Sequence, residues 1–375
     1  MIPAARPVIG EREEELVLEV LRSGHLSLGP RLAEFERAFA GWLGADRASA
    51  VSSGTAGLHL ATRAAGIARG DEVVTTPFSF VASANSIVYE GAKPVFCDID
   101  PRTLNIDPQA AGAAVTDSTS GLLPVHIFGY PADIPALEDL ASRRGLWIVE
   151  DACEALGARH GDGKVVGTRG HAAVFAFYPN KQMTTGEGGV VISPSDAVKE
   201  QIDSERNQGR APDMGWLDHD RLGFNYRLSD IACALGLAQL ERLDDMLAAR
   251  ARIASLYNEA LAAIEGVGLP CPDTAGDTRS WFVYVVQLPR GTDRDATITA
   301  LRERGIDSKP YLPAIHLMSY YREAFGHREG EFPVCEDVSS RSIALPFFPG
   351  LSDGQVEQVA GELGAIIRSQ SGRTR

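Results

Sequence analysis

An apolar run at 172–177 is followed by Pro179, a single lysine at 181 and a turn holding Gly186, Gly188 and Gly189. The run reads as a buried strand, and Pro179 closes it because proline cannot donate to a sheet ladder. An amine just past the end of a buried strand is a usable nucleophile when it is partly desolvated. The glycines let backbone approach a flat ligand closely. The same residues also suit a hairpin carrying a solvated lysine.

A second stretch narrows the choice. Residues 145–152 read as a strand ending in two carboxylates, Glu150 and Asp151. In open α/β sheets, ligands sit outside the carboxyl ends of the strands. An aspartate at one strand end and a lysine at another suit pyridoxal 5'-phosphate: the lysine forms the Schiff base and the aspartate pairs with the pyridinium nitrogen. Alone, Asp151 would equally suit a helix cap or a surface ion pair.

Three segments occur in order: Glu150-Asp151-Ala152-Cys153-Glu154 through Ala158, the lysine stretch, and Gly223-Phe224-Asn225-Tyr226-Arg227-Leu228. Together they resemble the DegT/DnrJ/EryC1/StrS sugar aminotransferases, over residues 7–363. The resemblance implies an α/β protein of the aspartate-aminotransferase type (fold type I). Its large, mostly parallel sheet domain would span 1–249, including an N-terminal helical segment, and a small α+β domain would span 250–375. It implies pyridoxal 5'-phosphate as cofactor, with Lys181 and Asp151 catalytic. Gly54, Thr55 and Ala56 would cradle the phosphate, Phe80 would stack on the ring, and Glu154 would lie near the ring hydroxyl. Asn225 would reach the phosphate of a partner subunit in a homodimer with shared sites. Tyr311 and His316 match the segment that meets substrate.

The implied reaction moves an amino group from L-glutamate to a nucleotide-linked keto-sugar, of the 4-keto-6-deoxy kind if Glu154 marks the perosamine-type subset. A keto-cyclitol aminotransferase of the scyllo-inosose type shares these motifs, and a non-catalytic regulatory relative is a further alternative. Family dehydratases carry histidine where Lys181 stands, so the lysine favours transamination. One position departs from the family: a serine that bonds the phosphate is common where this chain has Ala176, so the phosphate must find another donor.

The residues of the first helix start, 50–60, support the phosphate reading without the family. Ser52-Ser53-Gly54-Thr55 follows a short strand and opens a helix, where free N–H groups and the dipole attract anions. Ordinary capping by Ser53 satisfies the same pattern. His59 reads as structural. Strands expected at 71–77, 94–98 and 122–126 alternate with helical segments, the rhythm of a mostly parallel sheet. Helices are expected at 11–22 and 30–43, within 229–256 and at 296–304, with strands at 281–286 and 306–311. Segment 206–220 reads as a loop covering the site, and the end after Arg368 as disordered.

Composition excludes several classes. With 375 residues, 44% of them hydrophobic, a large core is available, and a net charge of −14 argues against nonspecific nucleic-acid binding. The five cysteines are scattered without a C-x-x-C pair, so neither a disulfide framework nor a metal site is expected. A reduced cytoplasmic setting fits. No signal peptide and no membrane-spanning run is expected.

Overall fold

The computed structural model describes residues 1–211, 218–274 and 276–371. Its main sheet has seven strands in the order β1 (Ala48–Val51), β7 (Gly189–Ile192), β6 (Ala172–Ala176), β5 (Trp147–Asp151), β4 (Thr119–Leu123), β2 (Glu72–Thr75) and β3 (Lys93–Phe96). All neighbours are parallel except where β7 runs antiparallel to β1 and β6. β1, β6 and β7 are short, mostly apolar runs buried along nearly all their length, as a sheet covered on both faces requires.

The helices form where the sequence signals them. α1 (Glu11–Ser23) stops at Gly24, whose φ of 74° is left-handed, a common glycine helix stop. α2 (Pro30–Leu43) starts with proline in its first turn and buries Phe35, Phe39 and Leu43. α3 (Gly54–Ala64) follows β1, and α4 (Ala82–Tyr89) follows β2. His59 is buried in α3 and pairs with Glu90 at 2.7 Å and the Tyr226 hydroxyl at 3.1 Å, a structural arrangement.

A second core surrounds a three-stranded antiparallel sheet, β8 (Tyr284–Gln287), β10 (Ser342–Leu345) and β9 (Lys309–Pro310), in that order. Helices Leu243–Leu261 and Asp353–Ser371 pack on it, and Ile2 joins the same core. The helical stretch within 229–256 is two helices, Asp230–Glu241 and Leu243–Leu261, parted at Arg242. Neither glycine nor proline stands at the break. The Arg242 guanidinium reaches the Val8 carbonyl at 2.7 Å and Glu13 at 2.5 Å, so tertiary contacts set it. The last helix runs to Ser371, past the point where disorder is expected, and 372–375 lie outside the described residues. So do 212–217, within the expected covering loop. No described helix is long and apolar enough to cross a membrane.

The end of β5 is fixed by a buried polar cluster. Glu150 accepts the backbone N–H groups of Gly167, Arg169 and Gly170 and lies 3.0 Å from His126 Nε2. His126 Nδ1 accepts the Ala132 N–H at 3.0 Å, so the ring's other nitrogen is the donor to Glu150. Burial opposes the charged form of Glu150, and these bonds outweigh it, holding the carboxyl below its ordinary range.

His160 lies edge-on to His126, buried, with Nε2 unpartnered. Burial, and then the neighbouring His126, push it down to about 4. A histidine that is harder to protonate when folded contributes stability above its unfolded value of about 6.5, and that contribution is lost as pH falls toward 4. His160→Gln should therefore reduce the stability lost between pH 7 and 5 by on the order of 1–2 kcal/mol. Thermal melts of both proteins at the two pH values check this, and an unchanged pH dependence would refute it.

Candidate active site

Four strand ends converge on one cavity of about 670 Å³. β1 leads into Ser53, Gly54 and Thr55, β2 into Phe80, β5 ends at Asp151, and β6 leads toward Lys181. Glu154, Asn180 and Tyr311 complete the part that matters for chemistry.

β6 and β7 form a hairpin, with Ala176 opposite Gly189, and the lysine sits in its loop. The backbone thus follows the hairpin reading, but the lysine side chain is only 13% exposed. Local bonds shape the loop: Lys181 N–H donates to Tyr178 O at 2.9 Å and Thr185 N–H to Phe177 O at 3.0 Å. Gln182 ties it to the β5 side by donating to the Glu154 carbonyl at 2.7 Å.

Asp151 is 4% exposed. Its Oδ2 accepts the Ser83 hydroxyl at 2.6 Å and its Oδ1 the Cys153 N–H at 3.2 Å. A buried carboxyl held this way keeps acceptor lone pairs free for a hydrogen-bond donor in the cavity. Glu154 Oε2 accepts the Phe128 N–H at 2.9 Å, and its Oε1 lies 3.8 Å from Lys181 Nζ. Burial raises the Glu154 carboxyl above its usual range, despite the opposing influence of Lys181. Burial likewise pushes the Cys153 thiol and the Tyr311 hydroxyl well up.

At the α3 N-terminus, Ser53 caps the helix by accepting the Ala56 N–H at 3.0 Å. Ala56 is buried and does not line the cavity. Gly54 and Thr55 do, and first-turn amides have no intrahelical acceptor. A Cβ on Gly54 would lie 2.6 Å from Ala176 Cβ and 3.1 Å from Cys153 Sγ. The helix end therefore presses on β6 where the family's serine is missing.

Phe80 is 62% exposed at the cavity wall, a ring face open for stacking. Tyr311 lines the cavity and tilts against Phe128 and Phe282.

Besides Ala56, two expected residues lie elsewhere. His316 is fully buried away from the cavity, with Nε2 3.0 Å from Glu336 and its ring edge-on to Phe332. Asn225 is exposed and does not line this chain's cavity. Sequence reading passed over Ser83, Phe128, Asn180, Arg250 and Phe282. Ser83, three residues past Phe80 in the first turn of α4, carries the one local signal.

The residues fit pyridoxal 5'-phosphate. An amine, a hydrogen-bonded carboxylate, an open aromatic face and a helix N-terminus share one cavity, and the buried Asn180 Oδ1 has no partner there.

Fold and site together define an α/β aminotransferase with its lysine in the loop of a hairpin. The model of the DegT/DnrJ/EryC1/StrS aminotransferase family matches residues 7–364, and the chain belongs to that family, whose members depend on pyridoxal phosphate. It is 37% identical over 380 residues to the spore coat polysaccharide biosynthesis protein SpsC of Bacillus subtilis, covering 98% of this chain and 97% of that one. It is 37% identical over 370 residues to GDP-perosamine synthase of Caulobacter vibrioides, covering 98% of each. Among solved structures, S. venezuelae DesV in complex with a ketimine intermediate superposes with a TM-score of 0.89 at 34% identity, covering 95% of this chain and 94% of that one.

Gly54→Ala should cost about 1–3 kcal/mol, because Ala176 Cβ is fixed to a strand and cannot yield. Gly41→Ala, in α2 with nothing within 4 Å, is the control and should be neutral or stabilising. Urea unfolding of both decides, and equal stability would refute the close-packing account.

Proposed function

We propose that this aminotransferase uses pyridoxal 5'-phosphate to move an amino group from L-glutamate to a nucleotide-linked 4-keto-6-deoxy sugar. The observation that carries the reading is the convergence of Lys181 and Asp151, from the ends of two adjacent parallel strands, on one cavity walled by the α3 N-terminus. The similarity to a GDP-perosamine synthase supports the substrate class, as does Glu154.

The cofactor, when bound, supplies an electron sink for the carbon from which a proton is removed. Lys181 Nζ is the group that takes and returns that proton. Asp151, held in place by Ser83 and the Cys153 amide, would pair with a protonated ring nitrogen. Glu154 is poised beside the amine, and Gly54 and Thr55 would receive the phosphate through backbone N–H groups. Tyr311, whose hydroxyl burial pushes well up, lines the cavity as a group able to donate a hydrogen bond to a ligand.

Lys181→Ala should abolish turnover, a loss of at least about 10³-fold if the amine supplies both proton transfer and cofactor attachment. Borohydride reduction followed by peptide mass spectrometry should find the cofactor on Lys181; labelling of another lysine would sink the assignment. A panel of nucleotide-linked 4-keto and 3-keto sugars and a keto-cyclitol, each with glutamate, tests the substrate. Turnover of the cyclitol alone would overturn the sugar reading.

We further propose a homodimer in which Asn225 serves the partner's phosphate, since Ala176 offers no donor and an amide N–H₂ can. Mixed dimers of Lys181→Ala and Asn225→Asp should recover about half of wild-type activity per dimer, because one of two sites is then wild type. Absence of recovery in a purified, doubly tagged heterodimer would show that Asn225 acts within its own chain, and an Asn225→Asp homodimer as active as wild type would show that it plays no part.

A further inference from the structure

Phe282 is completely buried, and one face of its ring is turned toward the reacting amine. Lys181 Nζ lies 3.9 Å from the ring centroid. A single side chain holds the two residues together. Arg250, from helix Leu243–Leu261, donates Nη1 to the Phe282 carbonyl at 3.1 Å and Nη2 to the Lys181 carbonyl at 2.9 Å. Arg250 is itself buried, its own ring contact being Phe347 at 5.6 Å. Burial pushes this guanidinium down to about 10. A buried cation spent on two backbone carbonyls is an expensive tether, which implies that the spacing it fixes matters.

The negative face of an aromatic ring attracts an ammonium group and does little for a neutral amine. A ring also has no lone pair with which to take the proton, unlike the Glu154 carboxyl, whose Oε1 lies 3.8 Å from the same nitrogen. An amine that collects a proton and must later return it is well served by such a neighbour. We propose that Phe282, alongside Glu154, stabilises the ammonium form of Lys181 while the amine holds the proton, with Arg250 the positioning residue that holds amine and ring in register. The inference rests on Lys181 being the reacting amine. It adds two residues that act on that amine from a part of the chain distant in sequence.

The test uses the full-length, cofactor-free protein with fluorinated phenylalanines at position 282, bearing one, two and three fluorines. Fluorine drains the ring face of negative charge at nearly constant shape. Only the unprotonated amine reacts with isotope-coded acetic anhydride, so peptide mass spectrometry reads the protonated fraction of Lys181 at fixed pH. The labelling rate should climb stepwise with fluorine number, toward a limit of about 2- to 30-fold when the whole attraction is gone. Rates that stay level or fall across the series would overturn the proposal. Melting temperatures confirm that each protein is folded, and the one- and two-fluorine proteins suffice if the third is not. In an Arg250→Lys background the dependence on fluorine should flatten, and an undiminished slope would remove Arg250 from the account. Borohydride mapping of the cofactor to another lysine would defeat the active-site reading while leaving the labelling series interpretable by itself.

Discussion

Burying two consecutive carboxylates at the end of one strand is costly, and the chain does so at Glu150 and Asp151. Successive strand residues face opposite sides of a sheet, so the two groups have separate surroundings. Glu150 is satisfied by three backbone N–H groups and His126. Those bonds tie the 167–170 turn to β5 just before β6 begins. Asp151 faces the cavity with only Ser83 and the Cys153 amide, which leaves it available to a cationic partner. One group locks the frame and the other is left facing the cavity.

The same economy appears in β6 and β7. A purely parallel sheet would need a long crossover after β6. The antiparallel return through β7 instead folds the lysine loop back over the sheet end and under the second core. Gln182 pins the loop to Glu154, and Arg250 pins it to Phe282. Small residues let these layers close: Gly54 against Ala176, and Gly57, where a Cβ would meet Val174 at 2.7 Å. The Ala176 departure from the family pattern thus sits at a point of tight contact. A larger side chain there would have to find room against the first turn of α3.

Much of the fold was legible because its signals are local. The stripe in α1 with Gly24 behind it, Pro30 opening α2, and the strand-turn-helix passage at Ser53-Gly54-Thr55 all read directly from residue order. So did Lys181 and Asp151, the one just past an apolar run and the other closing one. The break at Arg242 was not legible, because a guanidinium reaching Val8 and Glu13 sets it and no neighbouring residue does. His316 misled for the same reason. Its place in a motif suggested substrate, while its surroundings, Glu336 and Phe332, come from a later helix and the approach to it.

By itself, then, the order of residues determined the α/β alternation, the amine and carboxylate that line one cavity, and the helix start that can receive an anion. Each of these depends on side-chain period, on proline or glycine, or on a charge at the end of an apolar run. Only the tertiary structure decided that the lysine is largely shielded from solvent, that Ser83 holds Asp151, that Phe282 meets the amine, and that Arg250 ties the two backbones together. Those facts depend on segments far apart in the chain meeting in space, and such meetings leave no periodic trace in the sequence.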